Sequence, residues 1–197
     1  METLHFHIRG RVQGVGFRPY VFHLAHQFHL RGWVSNGVDG VHTEVRGSEA
    51  ALRQFEQMLR QSPPAHAVVT SVTRQPVGES DFKTFEIIES NGSGTPNLLL
   101  TPDFAICEPC KNDLRDANNR RSGYAFTTCL QCGPRYSIIK GLPYDRPLTT
   151  MASFVMCPAC ETEYRSPEDR RFFSQTNSCP HCAIQLTLRE AKGVSLQ

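Results

Sequence analysis

The chain has 197 residues, a formal net charge of +2 and a charged fraction of 20%. This near balance does not require a polyanionic partner, so nucleic-acid binding is allowed without being implied. No run approaches the roughly 20 apolar residues of a membrane span, and the start lacks the apolar core of a signal peptide. We therefore expect a soluble, cytoplasmic protein whose cysteines stay reduced.

The first half begins with a strand, a glycine loop and a helix. Apolar and polar side chains alternate over residues 3–12, as they do in a half-buried strand. The loop RVQGVGFR (residues 11–18) follows. Beyond it, apolar residues from Val21 to Phe28 recur at helical spacing, with Pro19 well placed as the first helical residue.

Four further elements complete this half. A hairpin is predicted at residues 32–36 and 41–47, then a helix that Ser48 caps and SPP (62–64) stops, then strands at 68–74 and 82–88. The order is βαββαβ with one extra strand. This order indicates an α+β fold of the ferredoxin-like type, in which two helices pack on one face of an antiparallel sheet.

The glycine loop has the chemistry of an anion site. Gly14 and Gly16 free the backbone to curl so that successive N–H groups converge, and the following helix adds the positive end of its dipole. Arg18 adds a planar, permanently charged fork that matches phosphate oxygens. From the residues alone, two interpretations stay open: a small-phosphate cradle, or glycines that serve only the backbone turn.

Every cysteine lies in the second half, in a duplicated pattern. Cys107-x2-Cys110-x18-Cys129-x2-Cys132 recurs 50 residues later as Cys157-x2-Cys160-x18-Cys179-x2-Cys182. Arg115, Arg120 and Arg121 recur at the same offset as Arg165, Arg170 and Arg171. A shared offset at seven positions indicates duplication of one structural unit.

Each repeat supplies the four thiolates that a tetrahedral zinc ion needs, so we predict two structural zinc sites. A thiol–disulfide redox site is the rival, but four CxxC pairs outside a βαβ setting argue against it. His181 could replace a cysteine, although the regular repeat favours the four thiolates. The paired arginines could bind phosphate or nucleic acid, while salt bridging or loop anchoring is the more common role.

The histidines do not predict a further metal site. His23, His26 and His29 fall on the side of the first helix opposite its apolar stripe, which favours a solvated polar face. His5 and His7 lie on the outer face of the first strand and receive the same interpretation.

RVQGVGFR followed by GWVSNGVDGVHTEVRG (residues 32–47) resembles the acylphosphatase family over about residues 3–90. The resemblance implies that Arg18 binds the substrate phosphate together with the loop, and that Asn36 orients the attacking water. The implied phosphate-binding residues are Gln13, Gly14, Val15, Gly16, Phe17 and Arg18. No metal or covalent intermediate is required, because an acyl phosphate already carries a good leaving group. The departing phosphate is expected to accept the proton.

Together with CGPRYSIIKGLPYDRPLTTM (132–151) and EYRSPEDRRF (163–172), the chain resembles the N-terminal part of the HypF family, carbamoyltransferases of [NiFe]-hydrogenase maturation. The resemblance implies hydrolysis of carbamoyl phosphate by Arg18 and Asn36. It implies that ATP acts only in domains absent from this chain, and that the partner is a HypE-like maturation protein. Because the family continues past Gln197, we expect either an excised N-terminal portion or a natural short form.

The second repeat departs from that family at two places. Phe173 stands where the family usually has histidine, and Cys182-Ala183-Ile184 stands where it usually has CGP. Any role that this histidine has in the family is therefore not expected in this chain. The second change predicts a less regular zinc knuckle.

Two other functions remain as alternatives. The chain could be a non-catalytic zinc protein that binds phosphate or a partner, or a nucleic-acid-binding zinc-ribbon protein. The predicted domains are an acylphosphatase-like domain at 1–91, a linker at 92–104, zinc modules at 105–140 and 155–188, a connector at 141–154 and a tail at 189–197.

Overall fold

The computed structural model describes residues 1–78 and 80–187. The predicted tail, and the last residue of the predicted second module, lie outside the described residues. In the part of the chain that is described, no helix is long and apolar enough to cross a bilayer.

The first domain has the predicted order of elements. They are β1 (Glu2–Arg11), α1 (Phe17–Gln27), β2 (Arg31–Gly37), β3 (Gly40–Gly47), α2 (Glu49–Gln61), β4 (Val68–Pro76) and β5 (Phe85–Ile87). Ser48 caps α2 as predicted, because its hydroxyl accepts a hydrogen bond from the Ala51 N–H at 3.3 Å.

α1 begins earlier than the sequence pattern indicates. Its first residue is Phe17, so Pro19 is the third helical residue and the prediction of Pro19 as the first was wrong. Gly16 precedes the helix with φ 75°, a left-handed conformation that glycine adopts without steric cost. The sharp glycine turn therefore sets the helix start and brings Arg18 into its first turn.

The strands form one sheet in the order β4-β1-β3-β2-β5. β1 pairs antiparallel with β3 and β4, and β2 pairs antiparallel with β3, but β5 runs parallel to β2. The sheet is therefore mixed rather than purely antiparallel. The difference arises because the chain crosses from β4 on one edge to the other edge before β5 begins.

The two helices pack against one face of the sheet around an apolar core. Phe6 and Ile8 of β1, Val21 of α1 and Phe55 of α2 are all fully buried in it. Burial at roughly 25 cal/mol per Å² of apolar surface makes this core the main stabilising contribution to the first domain.

The second half has little regular structure. Each cysteine repeat has one two-turn helix, α3 (Glu108–Arg115) and α4 (Pro158–Arg165), which begins directly after the first cysteine of its repeat. Three short 3₁₀ turns lie between them, at Tyr136–Ile138, Arg146–Leu148 and Thr150–Ser153. Such short elements bury few apolar side chains, so these modules need another source of stability.

The predicted linker runs along the first domain. The Asn97 N–H donates to the Val38 carbonyl at 3.0 Å, and the Thr101 hydroxyl donates to the Gln13 carbonyl at 2.5 Å. Thr101 is buried. The segment is thus hydrogen-bonded to the β2–β3 turn and to the glycine loop. The predicted domain boundaries remain predictions.

Candidate active site and cysteine clusters

The glycine loop and the end of β2 enclose one small cavity. Gly14 and Gly16 have φ values of 72° and 75°, and the turn they make places Arg18, only 8% exposed, beside Asn36, only 2% exposed. The cavity holds about 30 Å³ of open space, room for about two water molecules. Its lining includes Gln13, Gly14, Gly16, Phe17, Arg18 and Asn36.

The structure therefore brings together most of the predicted phosphate-binding residues. Val15 is the exception among them, because its side chain packs into the apolar core of the first domain. Its backbone still belongs to the loop between Gly14 and Gly16.

Within the described part of the chain, one polar atom of the Asn36 side-chain amide is hydrogen-bonded and the other is not. Its Nδ2 donates to the Tyr144 carbonyl at 3.3 Å, but its Oδ1 is buried and has no hydrogen-bond partner among the described residues. A buried amide oxygen without a partner costs about 1–3 kcal/mol, so a water molecule is the expected partner. Asn36 lines the cavity, and its Oδ1 can accept a hydrogen bond from a water molecule.

A segment of the predicted connector covers the cavity. The Asp145 carboxylate pairs with the Arg18 guanidinium at 2.5 Å. The Tyr144 N–H donates to the Gln13 Oε1 at 2.8 Å, and the Gln13 Nε2 reaches back to the carbonyls of the β2–β3 turn. Tyr144 itself is 4% exposed, and burial raises the pKa of its phenol to about 12. The carboxylate of Asp145 thus occupies the position at Arg18 where a phosphate oxygen is expected.

The sequence did not reveal this cover. Tyr144 and Asp145 lie within the quoted run 132–151, which carried the resemblance but gave no role to any single residue. The only local signal was an acidic residue within that run.

The first cysteine module is fixed to the glycine loop by Arg135. Its Nε donates to the Gly14 carbonyl, and its two Nη atoms donate to the carbonyls of Cys129, Leu130 and Cys132 at 2.9–3.0 Å. A Cβ atom on Gly14 would lie 3.1 Å from the Arg135 side chain. Glycine is therefore needed at this position for close approach of the module as well as for the turn.

The second module contributes an aromatic ring. Phe173 has φ 55°, an uncommon conformation for a residue with a side chain, and its ring centroid lies 6.0 Å from the Arg18 guanidinium carbon. The same ring packs against Tyr164 with centroids 5.0 Å apart. Phe173 therefore forms part of the wall beside Arg18. The family that the sequence resembles usually has histidine at this position.

The eight cysteines form two clusters of four. The clusters are Cys107, Cys110, Cys129 and Cys132, and Cys157, Cys160, Cys179 and Cys182. The close Sγ–Sγ distances are 3.6 and 3.8 Å in the first cluster and 3.6–3.7 Å in the second. A tetrahedron of Zn–S bonds of about 2.3 Å has edges of about 3.8 Å, so both clusters fit zinc.

The same distances bear on the alternatives raised for the cysteines. All eight are free thiols, and their sulfur atoms lie well beyond the disulfide bond length of about 2.05 Å. His181 is exposed and belongs to neither cluster. The donor sets are therefore four thiolates each, with no position left for a reacting molecule.

The arginine pair of the first module reaches into the second. Arg120 donates to the Cys160 sulfur at 2.9 Å, and Arg121, which is 1% exposed, pairs with Glu163 at 2.5 Å. Burial opposes ionisation of Glu163, but the hydrogen bonds from both arginines outweigh it and lower its pKa to about 2. Glu163 is thus held as a carboxylate by the neighbouring module.

The second pair returns the same contacts to the first module. Arg170 donates to the Cys110 sulfur at 2.9 Å, and Arg171, which is 4% exposed, pairs with Asp113 at 2.5 Å. Burial opposes ionisation of Asp113, yet the contacts with Arg171 and Arg170 lower its pKa. The four arginines therefore form a reciprocal clamp between the modules. These are the same arginines for which the sequence allows nucleic-acid binding, and here they form contacts within the protein.

The histidine predictions had two outcomes. His23 and His26 on α1, and His29 two residues beyond its end, are exposed, so the predicted solvated face is confirmed. His5 and His7 are half-buried instead, because they stack on His42 from the neighbouring strand.

Comparison with known proteins agrees with this architecture. Residues 4–87 match the acylphosphatase family, and residues 106–139 and 156–189 each match the HypF finger. An acylphosphatase from Burkholderia lata is 39% identical over 87 residues, which cover 44% of this chain and 89% of that protein.

Longer matches join the two halves. A carbamoyltransferase HypF from Rhodobacter capsulatus is 44% identical over 196 residues, covering 100% of this chain and 26% of that protein. A crystal structure of full-length HypF in a phosphate- and nucleotide-bound form superposes with a TM-score of 0.89 at 39% identity, covering 92% of this chain and 24% of that one. The chain thus spans about a quarter of the length of these relatives.

An acylphosphatase domain joined to two HypF fingers, in the arrangement of the full-length structure, defines the lineage of this chain: it belongs to the HypF family and corresponds to that family's N-terminal region.

Proposed function

We propose that this chain hydrolyses carbamoyl phosphate to phosphate and carbamate at Arg18, where the small cavity that Asn36 lines adjoins a larger groove. The observation that carries the proposal is the presence, in one cavity, of a buried guanidinium and a buried amide oxygen that has no hydrogen-bond partner within residues 1–78 and 80–187. The guanidinium of Arg18 can neutralise a phosphoryl group, and the Oδ1 of Asn36 can hold a water molecule.

Beyond the side chains of Arg18 and Asn36, the proposed step needs only backbone N–H groups. Arg18 and the backbone N–H groups of residues 13–18 hold the phosphoryl oxygens, and Asn36 Oδ1 accepts a hydrogen bond from the attacking water. The water oxygen bonds to phosphorus while the bond between phosphorus and the carbamate oxygen breaks. A phosphate oxygen takes the proton, and carbamate leaves. Positioning of the two reactants supplies the main part of the acceleration.

Access to Arg18 is proposed to come from a larger groove on its other side. This groove holds about 480 Å³ and shares Arg18, Phe173 and Gln175 with the small cavity. Asp145 also lines it and pairs with Arg18. Because a phosphate and the Asp145 carboxylate repel each other at one guanidinium, Asp145 must yield Arg18 when substrate binds.

The metal sites have a structural role in this proposal. The two clusters of four cysteines each hold one Zn²⁺, which stabilises segments that have few core residues. All four positions around each ion are filled by thiolates, so the zinc ions take no part in the hydrolysis.

The larger reaction is also a proposal for this chain. Its relatives are named carbamoyltransferases, so we infer that the carbamate serves carbamoyl transfer for hydrogenase maturation. ATP and a HypE-like partner would act through parts of the relatives that this chain does not match.

The contact between Asp145 and Arg18 favours a second candidate, a site that binds phosphate without turnover. The test is phosphate release from carbamoyl phosphate by the purified, zinc-loaded chain, corrected for spontaneous decomposition. We expect Arg18→Ala and Asn36→Ala, each confirmed folded by circular dichroism, to lower kcat/KM about 100-fold or more. Arg115→Ala, at an exposed position, is the matched control and keeps the full rate.

Phosphate binding without release above the background would contradict the hydrolase and support the binding role. Turnover that survives both substitutions would place the reaction elsewhere in the molecule.

A further inference from the structure

We propose that His7, Asp39 and His42 form a third metal site, for a divalent transition-metal ion of the kind that imidazole nitrogen binds. This site lies in the first domain, away from both cysteine clusters. It does not depend on the proposed hydrolysis, because none of its three side chains lines the cavity of Arg18 and Asn36.

The sheet register brings the three side chains together. His7 on β1 is directly opposite His42 on β3, so their rings lie on the same face of the sheet and stack with centroids 4.1 Å apart. Asp39 lies in the tight turn between β2 and β3, next to both rings. Three donors from two strands and one turn therefore converge through backbone pairing alone.

The donor atoms have the spacing of metal ligands. His42 Nε2 lies 2.9 Å from one Asp39 carboxylate oxygen, and His7 Nε2 lies 3.3 Å from the other. All three ligand atoms lie within 4.8 Å of one another. Metal–nitrogen and metal–oxygen bonds of about 2.0–2.2 Å place tetrahedral ligands about 3.4 Å apart, so an ion fits with small adjustments.

A fourth side chain orients one of the ligands. His5 Nε2 lies 3.2 Å from the Nδ1 of His42. A proton on His42 Nδ1 that is donated to His5 leaves the lone pair on His42 Nε2, the atom that faces Asp39. Metal-binding histidines commonly use their second nitrogen in this way, which fixes the tautomer and the ring orientation.

Two glycines keep the space around the donors open. A Cβ atom on Gly37 would lie 2.9 Å from His42 Nε2 and 3.0 Å from an Asp39 carboxylate oxygen. A Cβ atom on Gly40 would lie 3.1 Å from His7 Nε2. Larger residues at the two ends of this turn would therefore crowd the ligand atoms.

The site is partly open to solvent. The side chains of His7, His42 and Asp39 are 11%, 24% and 32% exposed. Two imidazoles and one carboxylate leave at least one position for water, unlike the closed cysteine clusters. We therefore expect an ion that exchanges with the medium and is removed by chelators more easily than the zinc in the fingers.

The bound ion would stabilise the turn that follows Asn36. It ties β1 and β3 to Asp39 from one face of the sheet. Gln13 Nε2 already holds the Gly37 and Gly40 carbonyls of the same turn at 2.6 and 2.7 Å. Loading the site should therefore raise the melting temperature of the zinc-loaded protein.

The test is a titration of the zinc-loaded protein with Co²⁺, followed by calorimetry and visible absorption. We expect one further equivalent, with d–d bands and no thiolate-to-cobalt charge transfer, because nitrogen and oxygen are the ligands. Asp39→Asn and His42→Gln should each abolish this equivalent. His26→Gln removes an exposed histidine of α1 and should leave it intact.

Asp39→Asn keeps the shape of the side chain, so it serves as the variant that remains folded if His42→Gln does not. Absence of a further equivalent would overturn the proposal. So would an equivalent that shows thiolate charge transfer, or one that survives Asp39→Asn, since the ion would then be held by cysteines or by scattered surface histidines.

Discussion

The two cysteine modules share one plan but face different neighbours. Both start a short helix directly after their first cysteine, and both send an arginine pair into the other module. They differ at the positions that touch the first domain. Arg135 of the first module holds the glycine loop, while the position 50 residues later is Gln185, which has no such contact among the described residues.

A second difference concerns the position two residues after the arginine pair of each repeat. Gly123 and Phe173 are 50 residues apart, and both have positive φ values, 68° and 55°. Glycine accepts this conformation without cost, whereas phenylalanine is strained by it. Phe173 keeps the strained backbone and places its ring beside Arg18.

The two modules can thus be compared by the residues that are the same in both and the residues that differ. The cysteine clusters and the reciprocal arginine clamp are the same in both modules, because the cysteines organise each module and the arginines hold the two together. The residues that differ, Arg135 and Phe173, are those that shape the candidate active site. The fingers are therefore part of the wall of the site as well as scaffolding.

The largest expected effect is loss of zinc from one module at a time. Cys132→Ser and Cys182→Ser should each remove one of two zinc ions, measured by native mass spectrometry. Structural zinc contributes about 10–16 kcal/mol in zinc-finger peptides, so each variant should lose the fold of its own module. Cys132→Ser should weaken phosphate binding more than Cys182→Ser, because it releases Arg135 from the glycine loop, whereas the second module contributes the Phe173 ring beside Arg18. Equal weakening by both variants would contradict the difference between the modules.

The arginine clamp should be next in size. Arg121→Ala and Arg171→Ala each remove the more buried of the two arginines that pair with one carboxylate, while Arg120 or Arg170 remains as the other partner. Loss of the charge-assisted hydrogen bonds of one buried arginine should cost about 3 kcal/mol. Urea unfolding measures this loss. The matched controls are Arg115→Ala and Arg165→Ala, exposed members of the same repeat, which should stay within about 0.5 kcal/mol of the unmodified protein. A clear loss for one clamp residue and none for the other would break the symmetry inferred here.

An exchange of the divergent residues at the knuckles should have a smaller effect. Arg135→Gln gives the first module the residue found in the second and removes hydrogen bonds to five carbonyls. We expect a loss of about 2–3 kcal/mol in stability and weaker binding of inorganic phosphate, measured by calorimetry. Gln185→Arg is the reciprocal control and should change neither quantity, and an equal effect of both would remove the special role of Arg135.

The smallest effects are expected at the strained position. Gly123→Ala should cost about 1–2 kcal/mol through its backbone alone, because a Cβ there meets no atom within 4 Å. Phe173→Gly relieves the strain but removes the ring beside Arg18, so stability should hardly change. A cation–π contact is worth about 0.5–1 kcal/mol, which predicts a few-fold weaker affinity for phosphate. Unchanged phosphate affinity would assign the ring to packing only.

Local patterns in the sequence predicted the parts of the molecule that local forces determine. The alternation in β1, the cap at Ser48 and the cysteine spacings each fix a backbone shape within a few residues. Gly14 and Gly16 likewise predicted the turn that places Arg18.

Contacts between distant segments were not predictable in this way. The parallel pairing of β5, the position of Asp145 on Arg18 and the exchange of arginines between modules all depend on how complete units dock. The clamp was present in the sequence as two arginine pairs with a shared offset, but the spacing alone does not say which carboxylate each pair meets. His7 and His42 are 35 residues apart along the chain, so only the strand register brings them together.

The most direct test of the proposed hydrolysis is to let the zinc-loaded chain act on carbamoyl phosphate in ¹⁸O-labelled water. The ¹⁸O content of the released phosphate is then measured by mass spectrometry. A water held by Asn36 and directed at the phosphoryl group beside Arg18 must transfer its oxygen to phosphorus. We predict that phosphate formed above the protein-free background carries one ¹⁸O atom. Unlabelled phosphate would mean that the carbon–oxygen bond breaks instead, and it would contradict the roles given to both residues.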